Sequence, residues 1–192
     1  MSTLIVPCVG RKIMNGIPQY LNRHPNGKLL IERSIEGVFS DKYRRVLIVL
    51  LKEDTEHFDA ESIIVQEVKG YPLEFVLLDQ MTSGPAETVY QAIQKANVTE
   101  QVVVKDADNY LKTEEVPQGN FVAGLDLNTW ERDVHNLRNK SFLIVNEQGN
   151  LLDIIEKRVR SDVICLGLYG FKRAADLSLI HISEPTRRVV IS

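Results

Sequence analysis

Residues 102–111 read VVVKDADNYL, and this stretch decides how the rest of the chain is interpreted. Three β-branched residues predict a buried strand, and Lys105 then leads into two acids, Asp106 and Asp108. Carboxylates are rarely buried without a positive partner, and two so close together raise each other's pKa unless a cation lies between them. Mg²⁺ is one such cation, because it prefers oxygen ligands. The simpler alternative is a solvated turn, where Asp and Asn are ordinary residues.

On the amino-terminal side of this stretch, strand and helix patterns alternate. Apolar runs predict buried strands at residues 4–9, 46–51 and 73–78, and helical spacing predicts helices at 29–38, at 60–68 and from Pro85 onward. A polar loop is expected between the first strand and the first helix. The alternation is typical of right-handed parallel crossovers, so residues 102–104 form a fourth strand. Ligands of such sheets bind at the carboxyl ends of the strands, which favours a functional role for the two acids.

The pattern changes on the carboxyl-terminal side to short strands separated by turns. Strands are predicted at residues 121–127, 141–146, 151–155 and 163–171, with a turn at 147–150. This half is expected to be mixed or antiparallel and to pack on the edge of the first half. The fold class predicted is therefore α/β and Rossmann-like: a mostly parallel mixed sheet flanked by helices, with an antiparallel carboxyl-terminal part.

Composition narrows the classes of protein. A chain of 192 residues that is 44% hydrophobic predicts one domain with a well-filled core. The net charge of −3 and the scattered Lys and Arg argue against nucleic acid or an anionic membrane as a partner. The longest aliphatic run, VLIVLL at 46–51, is too short to cross a bilayer, so we expect a cytoplasmic protein. Cys8 and Cys165 lie in apolar segments and are interpreted as reduced and structural.

The last sixteen residues, LSLIHISEPTRRVVIS at 177–192, continue neither pattern. One reading frame of a transposase-type sequencing adaptor translates to LSLIHISEPTR. We therefore interpret residues 177–192 as a non-native translation and assign no catalytic role to His181. The expected domain comprises residues 1–176 and is incomplete at its carboxyl terminus.

Several segments then stand in one order: LIVPCVGR at 4–11, IPQYLNRHPNGKLLIERSIEGV at 17–38, DQMTSGPAETVYQAI at 79–93, VVVKDADNYL at 102–111, EKR at 156–158 and GLYGF at 167–171. Together they resemble the sugar-phosphate nucleotidyltransferases of the GT-A fold, over nearly all of residues 4–176. Those enzymes join a nucleotide to a sugar 1-phosphate or a similar phosphate. The resemblance implies a nucleoside triphosphate and a phosphorylated small molecule as partners, with Mg²⁺ as cofactor, and leaves self-association open.

The resemblance also implies a role for each segment. The residues that it indicates are Gly10, Arg11 and Lys12 for the triphosphate, Gln19, Gln80 and Gly84 for the nucleotide, Asp106 and Asp108 for Mg²⁺, and Glu156 and Lys157 for the acceptor. Arg11, Lys12 and Asp108 are the residues expected to carry catalysis. Each also has a simpler interpretation: Gly10 ends a strand, residues 82–84 cap a helix, and Glu156 with Lys157 forms a solvated charged edge.

Three departures from the family pattern accompany the resemblance. Pro18 is followed by Gln19, where the family usually carries a lysine that bonds the phosphates. An amide supplies hydrogen bonds but no charge. The loop between Gly10 and Pro18 is also shorter than usual. Either Arg11, Lys12, Arg23 or Lys28 supplies the charge, or the enzyme is weakened. A later aspartate, commonly the second metal ligand, would fall in the replaced region.

Three alternatives remain open on the sequence. A GT-A glycosyltransferase would use the acid pair and a metal to hold a nucleotide sugar, without a basic triphosphate loop. A haloacid dehalogenase-type phosphatase also uses two acids at a strand end, but Tyr110 stands where that family has Thr or Val. A non-catalytic nucleotide-sensing module would explain Gln19.

Overall fold

The computed structural model describes residues 1–10, 12–113, 115–130 and 136–177. The strands are β1 (Ser2–Pro7), β2 (Ile13–Met14), β3 (Ile17–Pro18), β4 (Tyr43–Leu51), β5 (Leu73–Leu78), β6 (Val102–Lys105), β7 (Phe121–Asp126), β8 (Ser141–Val145), β9 (Leu151–Glu156) and β10 (Val163–Phe171). The helices are α1 (Leu30–Glu36), α2 (Lys52–Phe58), α3 (Ala60–Glu67) and α4 (Pro85–Lys95), with 3-10 turns at Gln19–Leu21, Leu127–Thr129 and Leu137–Asn139.

Four parallel strands form one half of the main sheet, in the order β5-β4-β1-β6. The register pairs Leu4 with Val46 on one side of β1 and with Val103 on the other. The side chains of β1 alternate between the two faces, as a strand requires. Leu4 and Val6 pack with α1 and α3, while Ile5 packs with α4. Both faces are therefore covered by helices, which is why these strands read as unbroken apolar runs.

The carboxyl-terminal half continues the same sheet in the antiparallel sense. β10 pairs with β6, with β7 and with β8, and β8 and β9 form a hairpin at the edge. The main sheet thus contains eight strands, and β10 joins its parallel and antiparallel parts. This arrangement confirms the predicted fold class.

One local prediction was wrong, and one helix was not predicted. The stretch interpreted as a polar loop contains the β2–β3 hairpin, whose turn residues Asn15 and Gly16 have φ angles of 55° and 79°. An Asn-Gly pair suits such a tight turn, because both central residues need positive φ. Helix α2 was missed because KEDTEHF carries no apolar stripe, although it directly follows β4.

The last described residue, Leu177, lies at the predicted domain boundary. Leu177, the first residue of the suspected adaptor translation, is 5% exposed and packs with the cluster around α4. Residues 178–192 lie outside the described residues, so the proposed boundary after residue 176 stays a prediction.

Among the helices described, none combines the length and hydrophobicity that a bilayer crossing requires.

Candidate functional site

A cleft of about 290 Å³ opens where β1 and β6 end. It lies at the carboxyl edge of the parallel strands, the usual ligand position in an open α/β sheet. Its lining comes from the end of β1 and the residues after it, from both sides of the β2–β3 hairpin, from the start of α4 and from the loop after β6: Pro7, Cys8, Val9, Gly10, Lys12, Gln19, Tyr20, Pro85, Asp106, Ala107 and Asp108. The cleft therefore brings together five of the residues indicated by the sequence: Gly10, Lys12, Gln19, Asp106 and Asp108.

The two acids of the VVVKDADNYL stretch lie in different environments. Asp106 is partly buried, and its backbone N–H donates to Gly167 O at 2.9 Å. Burial, together with the neighbouring charge of Asp108, raises the pKa of the Asp106 carboxyl to about 6. Asp108 is more exposed and accepts a bond from Lys12 Nζ at 2.5 Å. Asp106 is therefore a desolvated carboxyl that a cation would help to ionise.

Lys12 reaches the acids from the other wall of the cleft. It directly precedes the β2–β3 hairpin, and Gln19 N–H donates to Lys12 O at 2.8 Å. The Lys12 and Asp108 side chains are 72% and 41% exposed, so their ion pair contributes little stability. Lys12 Nζ is thus free to exchange Asp108 for the oxygen of an anionic ligand.

The hairpin that carries Lys12 and Gln19 is fixed from below by Asn22. This side chain is 5% exposed, and its Nδ2 donates to Met14 O at 3.0 Å and to Pro18 O at 3.2 Å. Its Oδ1 accepts from Asn15 Nδ2 at 2.8 Å. Because these bonds are buried or partly buried, they hold the hairpin over the cleft more firmly than surface contacts would.

Tyr20, which lines the cleft, makes a buried polar contact behind it. Tyr20 Oη donates to Asp54 Oδ2 at 2.9 Å, and Asp54 is 7% exposed. Burial raises the pKa of the Asp54 carboxyl and of the Tyr20 hydroxyl, and it also raises the pKa of the neighbouring Cys8 thiol. Cys8 therefore stays a neutral thiol and forms part of the apolar wall.

The remaining predicted site residues lie elsewhere. Gly84 precedes α4, next to Pro85 at the cleft, while Gln80 is exposed and does not line the cleft. Glu156 and Lys157 pair with each other at 2.8 Å, with side chains 71% and 65% exposed, and do not line the cleft either. Arg11 lies outside the described residues. The roles of these residues stay predictions.

A second cavity, of about 320 Å³, lies against β4, β5 and the end of α4. Its cationic residues are already paired, Arg45 with Glu74 and Glu100, and Lys95 with Asp79. None of the residues predicted for the site lines it. The cleft at β1 and β6, which five of the predicted residues line, is therefore the better candidate.

The carboxylate pair fits Mg²⁺ by its chemistry. Mg²⁺ is commonly bound through one or two carboxylates, with phosphate oxygens and water completing its shell. Asp106 and Asp108 supply that number, and because burial raises the pKa of Asp106, a bound cation would favour its charged form. Within the described ranges, no group of three or more His, Cys, Asp or Glu residues is suited to hold a metal. A metal here would therefore depend on ligand oxygens.

Sequence reasoning missed three residues that surround the turn carrying the two acids. Lys105 is fully buried and donates to the loop after β6, Asn109 accepts from it, and Gly167 lies against the Asp106 carboxylate. Lys105 carried a signal, since a lysine that ends a buried strand needs partners. Gly167 and Asn109 carried none, because their importance depends on the pairing of β10 with β6.

The fold defined by this sheet is that of the sugar-phosphate nucleotidyltransferases, as comparison with solved structures shows. At the level of sequence, no family model and no curated protein matches the chain.

One structure with this fold is the nucleoside-diphosphate-sugar pyrophosphorylase from Vibrio cholerae RC9, with a TM-score of 0.70 and 20% identity over 97% of this chain and 79% of that chain. The inositol-1-phosphate CTP transferase from T. maritima has a TM-score of 0.72 and 14% identity over 97% of this chain and 76% of that one. HddC from Yersinia pseudotuberculosis has a TM-score of 0.66 and 14% identity over 90% and 77%. At these identities the likeness concerns the fold, and the chemistry has to be argued from the cleft.

Proposed function

We propose that this protein is a nucleotidyltransferase, which joins a nucleoside triphosphate to a sugar 1-phosphate or a similar phosphate such as phosphocholine and releases pyrophosphate. The observation that carries the proposal is the meeting of Lys12, Asp106 and Asp108 in one cleft at the carboxyl edge of the parallel strands. The names of two neighbours, a nucleoside-diphosphate-sugar pyrophosphorylase and an inositol-1-phosphate CTP transferase, support the reaction class.

In the proposed reaction, an oxygen of the acceptor phosphate attacks the α-phosphorus of the triphosphate, and the bond to pyrophosphate breaks. Catalysis of this kind rests on positioning and charge neutralisation. Lys12 would bind the β- and γ-phosphates and stabilise the charge that develops on pyrophosphate, with Arg11 as its proposed companion. No general base is required, because a phosphate dianion is already a nucleophile.

Asp106 and Asp108 would hold Mg²⁺ in this proposal, and the bound ion would neutralise charge on the phosphate oxygens. Lys12 and Asp108 pair with each other, so ligand binding would exchange this ion pair: Lys12 would then bind phosphate and Asp108 would be available to hold the ion. Gln19 would donate a hydrogen bond from its side-chain amide N–H to the nucleotide. Gln80 and Gly84 would contact the base. Glu156 and Lys157 would serve the acceptor.

The proposal is tested by measuring pyrophosphate release from a panel of nucleoside triphosphates and sugar 1-phosphates, with and without Mg²⁺. We expect Mg²⁺-dependent release that Asp108→Asn lowers by at least two orders of magnitude, as is typical when a group that stabilises developing charge is removed. The matched control is Asp79→Asn, which removes an exposed acid away from the cleft. Silence across the panel would contradict the proposal.

A second candidate, a nucleotide-binding module without turnover, is favoured by one observation. Gln19 is a neutral residue in the cleft wall, where the family that the chain resembles carries a cation. Calorimetry separates the two candidates, because tight Mg²⁺-nucleotide binding without pyrophosphate release selects the module. Gln19→Lys is expected to tighten triphosphate binding about tenfold or more, since a charged hydrogen bond adds about 1.5 kcal/mol. Gln148→Lys adds the same charge in an exposed turn and is its control.

A further inference from the structure

Lys105 is a fully buried cation at the end of β6, with an exposed fraction of 0%. It follows Val102, Val103 and Val104, which are all buried as well. Burying an ammonium group without partners is strongly unfavourable, so its contacts must offset that cost. The reason that the chain keeps a lysine here has to lie in what the Nζ atom binds.

The ammonium group of Lys105 donates three hydrogen bonds to one short segment. Lys105 Nζ donates to Asp106 O at 2.7 Å, to Asn109 O at 2.9 Å and to Asn109 Oδ1 at 2.5 Å. These three acceptors lie at the two ends of the Asp106–Asn109 turn, which carries both candidate metal ligands. One side chain therefore ties the start of the turn to its end.

The other side of the turn is fixed by β10. Asp106 N–H donates to Gly167 O, and the absence of a side chain at Gly167 leaves room for the Asp106 carboxylate and the Asn109 amide. Lys105 itself pairs with Leu168 of β10 in the register of the sheet. Lys105 thus binds both ends of the turn, and β10 binds the turn through Gly167 O. The side chains of Asp106 and Asp108 line the cleft.

We propose that Lys105 is a positioning residue, which fixes the turn so that Asp106 and Asp108 present their carboxylates together to a Mg²⁺-nucleotide. Lys105 does not line the cleft, so it acts through the turn and does not touch the ligand. Groups that orient metal ligands commonly change metal affinity by about tenfold to a hundredfold when they are removed. This inference rests on the proposed function, since it assigns Lys105 a part in metal-dependent nucleotide binding.

The experiment compares Lys105→Met with the unmodified protein in two measurements. Methionine keeps a similar length and removes the three donated bonds. Calorimetry of ATP, CTP, GTP, UTP and dTTP at a series of Mg²⁺ concentrations gives the Mg²⁺ concentration at half-maximal affinity. We expect this concentration to rise about tenfold or more in Lys105→Met. Amide hydrogen exchange, measured without ligand, is expected to be faster at residues 106–109 and unchanged in β1 and β4.

Two further variants keep the inference open to contradiction. Asn109→Ala removes one of the three acceptors, Asn109 Oδ1. We expect it to raise the Mg²⁺ concentration at half-maximal affinity by a smaller factor than Lys105→Met does. This variant tests the inference even if Lys105→Met folds poorly. Lys95→Met is the matched control. Lys95 Nζ donates to a backbone oxygen too, that of Leu77 at 2.8 Å, but Lys95 does not line the cleft.

The outcomes separate this inference from the proposed function. If no nucleotide binds the unmodified protein in a Mg²⁺-dependent way, the proposed function fails, and the metal-directed part of this inference fails with it. In a second outcome, nucleotide binding by the unmodified protein depends on Mg²⁺, and Lys105→Met and Asn109→Ala need the same Mg²⁺ concentration for half-maximal affinity. Lys105 then has no positioning role, although the proposed function stands. Unchanged exchange at residues 106–109 would overturn the inference without reference to any ligand.

Discussion

At the residue scale, Gly167 shows how one missing side chain leaves space for a carboxylate. Its φ is +67°, a conformation that L side chains rarely adopt, and a Cβ there would overlap Asp106 Oδ2. Gly149 has a similar φ of +78° but nothing within 4 Å of the same position. A side chain at Gly149 would therefore strain the backbone alone, whereas a side chain at Gly167 would strain the backbone and also crowd the Asp106 carboxylate.

We expect Gly167→Ala to destabilise the protein more than Gly149→Ala does. The backbone strain is about 1 kcal/mol for each, and only Gly167→Ala also displaces Asp106. Urea denaturation gives the stability, and calorimetry gives the Mg²⁺ dependence of nucleotide affinity. Gly149→Ala should leave that dependence unchanged. Equal effects of the two substitutions on both measurements would show that the Asp106 contact is unimportant.

Asp106 gives a second prediction at this scale, because its environment disfavours its charge. Its pKa in the folded protein, about 6, lies above its ordinary value, so between these pH values the folded state keeps a proton that the unfolded state releases. The free energy of unfolding therefore falls as pH rises through this window. Asp106→Asn should remove this loss and stabilise the metal-free protein at pH 7 by on the order of 2 kcal/mol.

The measurement is urea denaturation of Asp106→Asn and of the unmodified protein at several pH values from 4 to 7.5, without metal. The difference between the two should be small at pH 4 and should grow up to about pH 6. The same substitution should abolish Mg²⁺-dependent nucleotide binding. A constant difference across this pH range would mean that Asp106 is not the titrating group.

The same residue scale shows what sequence can and cannot predict about the site. The two acids and Lys12 stand out as charged residues that follow apolar runs, and the structure brings them into one cleft. Lys105 could have been recognised by the cost of burying it. Gly167 could not, because its closeness to Asp106 arises from the antiparallel pairing of two strands that are far apart in sequence.

At the element scale, the β2–β3 hairpin positions Lys12 and Gln19, and Asn22 holds the hairpin. Asn22→Ala removes two donated bonds and one accepted bond from a side chain that is 5% exposed. We expect a loss of about 1–3 kcal/mol in the free energy of unfolding, the cost of leaving buried polar groups unpaired. We also expect weaker nucleotide binding, since the hairpin loses its anchor.

Denaturation and calorimetry measure these two effects, and Asn150→Ala, at an exposed position in the β8–β9 turn, is the control. Stability that falls without any change in nucleotide affinity would mean that the hairpin keeps its position without Asn22.

Prediction from sequence was uneven among the elements. Strands β5 and β10 and the start of α4 agree with the predicted bounds, since unbroken apolar runs and a proline at a first helical position are strong local signals. Helix α2 has no apolar stripe, and the β2–β3 hairpin is only two residues long on each side. Elements of this kind form because the surrounding structure holds them, and a local pattern does not reveal them.

At the scale of the whole molecule, the cleft joins segments that are distant in sequence, since Lys12 follows β1 while Asp106 and Asp108 follow β6. A ligand bound there should stabilise the folded chain as a unit. A Mg²⁺-nucleotide present at a hundred times its Kd should add about 2.7 kcal/mol to the free energy of unfolding.

Thermal denaturation with and without the Mg²⁺-nucleotide measures this as a rise in Tm, and Asp108→Asn should show little of it. A rise of the same size in Asp108→Asn would place the nucleotide at some other site.

The central position of β10 has a consequence for how the chain reaches its fold. The partners β6 and β10 are separated by the whole of β7, β8 and β9, so the parallel half can assemble while Val102–Lys105 still presents an unpaired, apolar edge. Such an edge invites pairing with other chains during synthesis. Because β6 pairs with a strand that is distant in sequence, we expect the sheet to be completed slowly during folding. The nascent protein should be most vulnerable to aggregation before Val163–Phe171 has been synthesised.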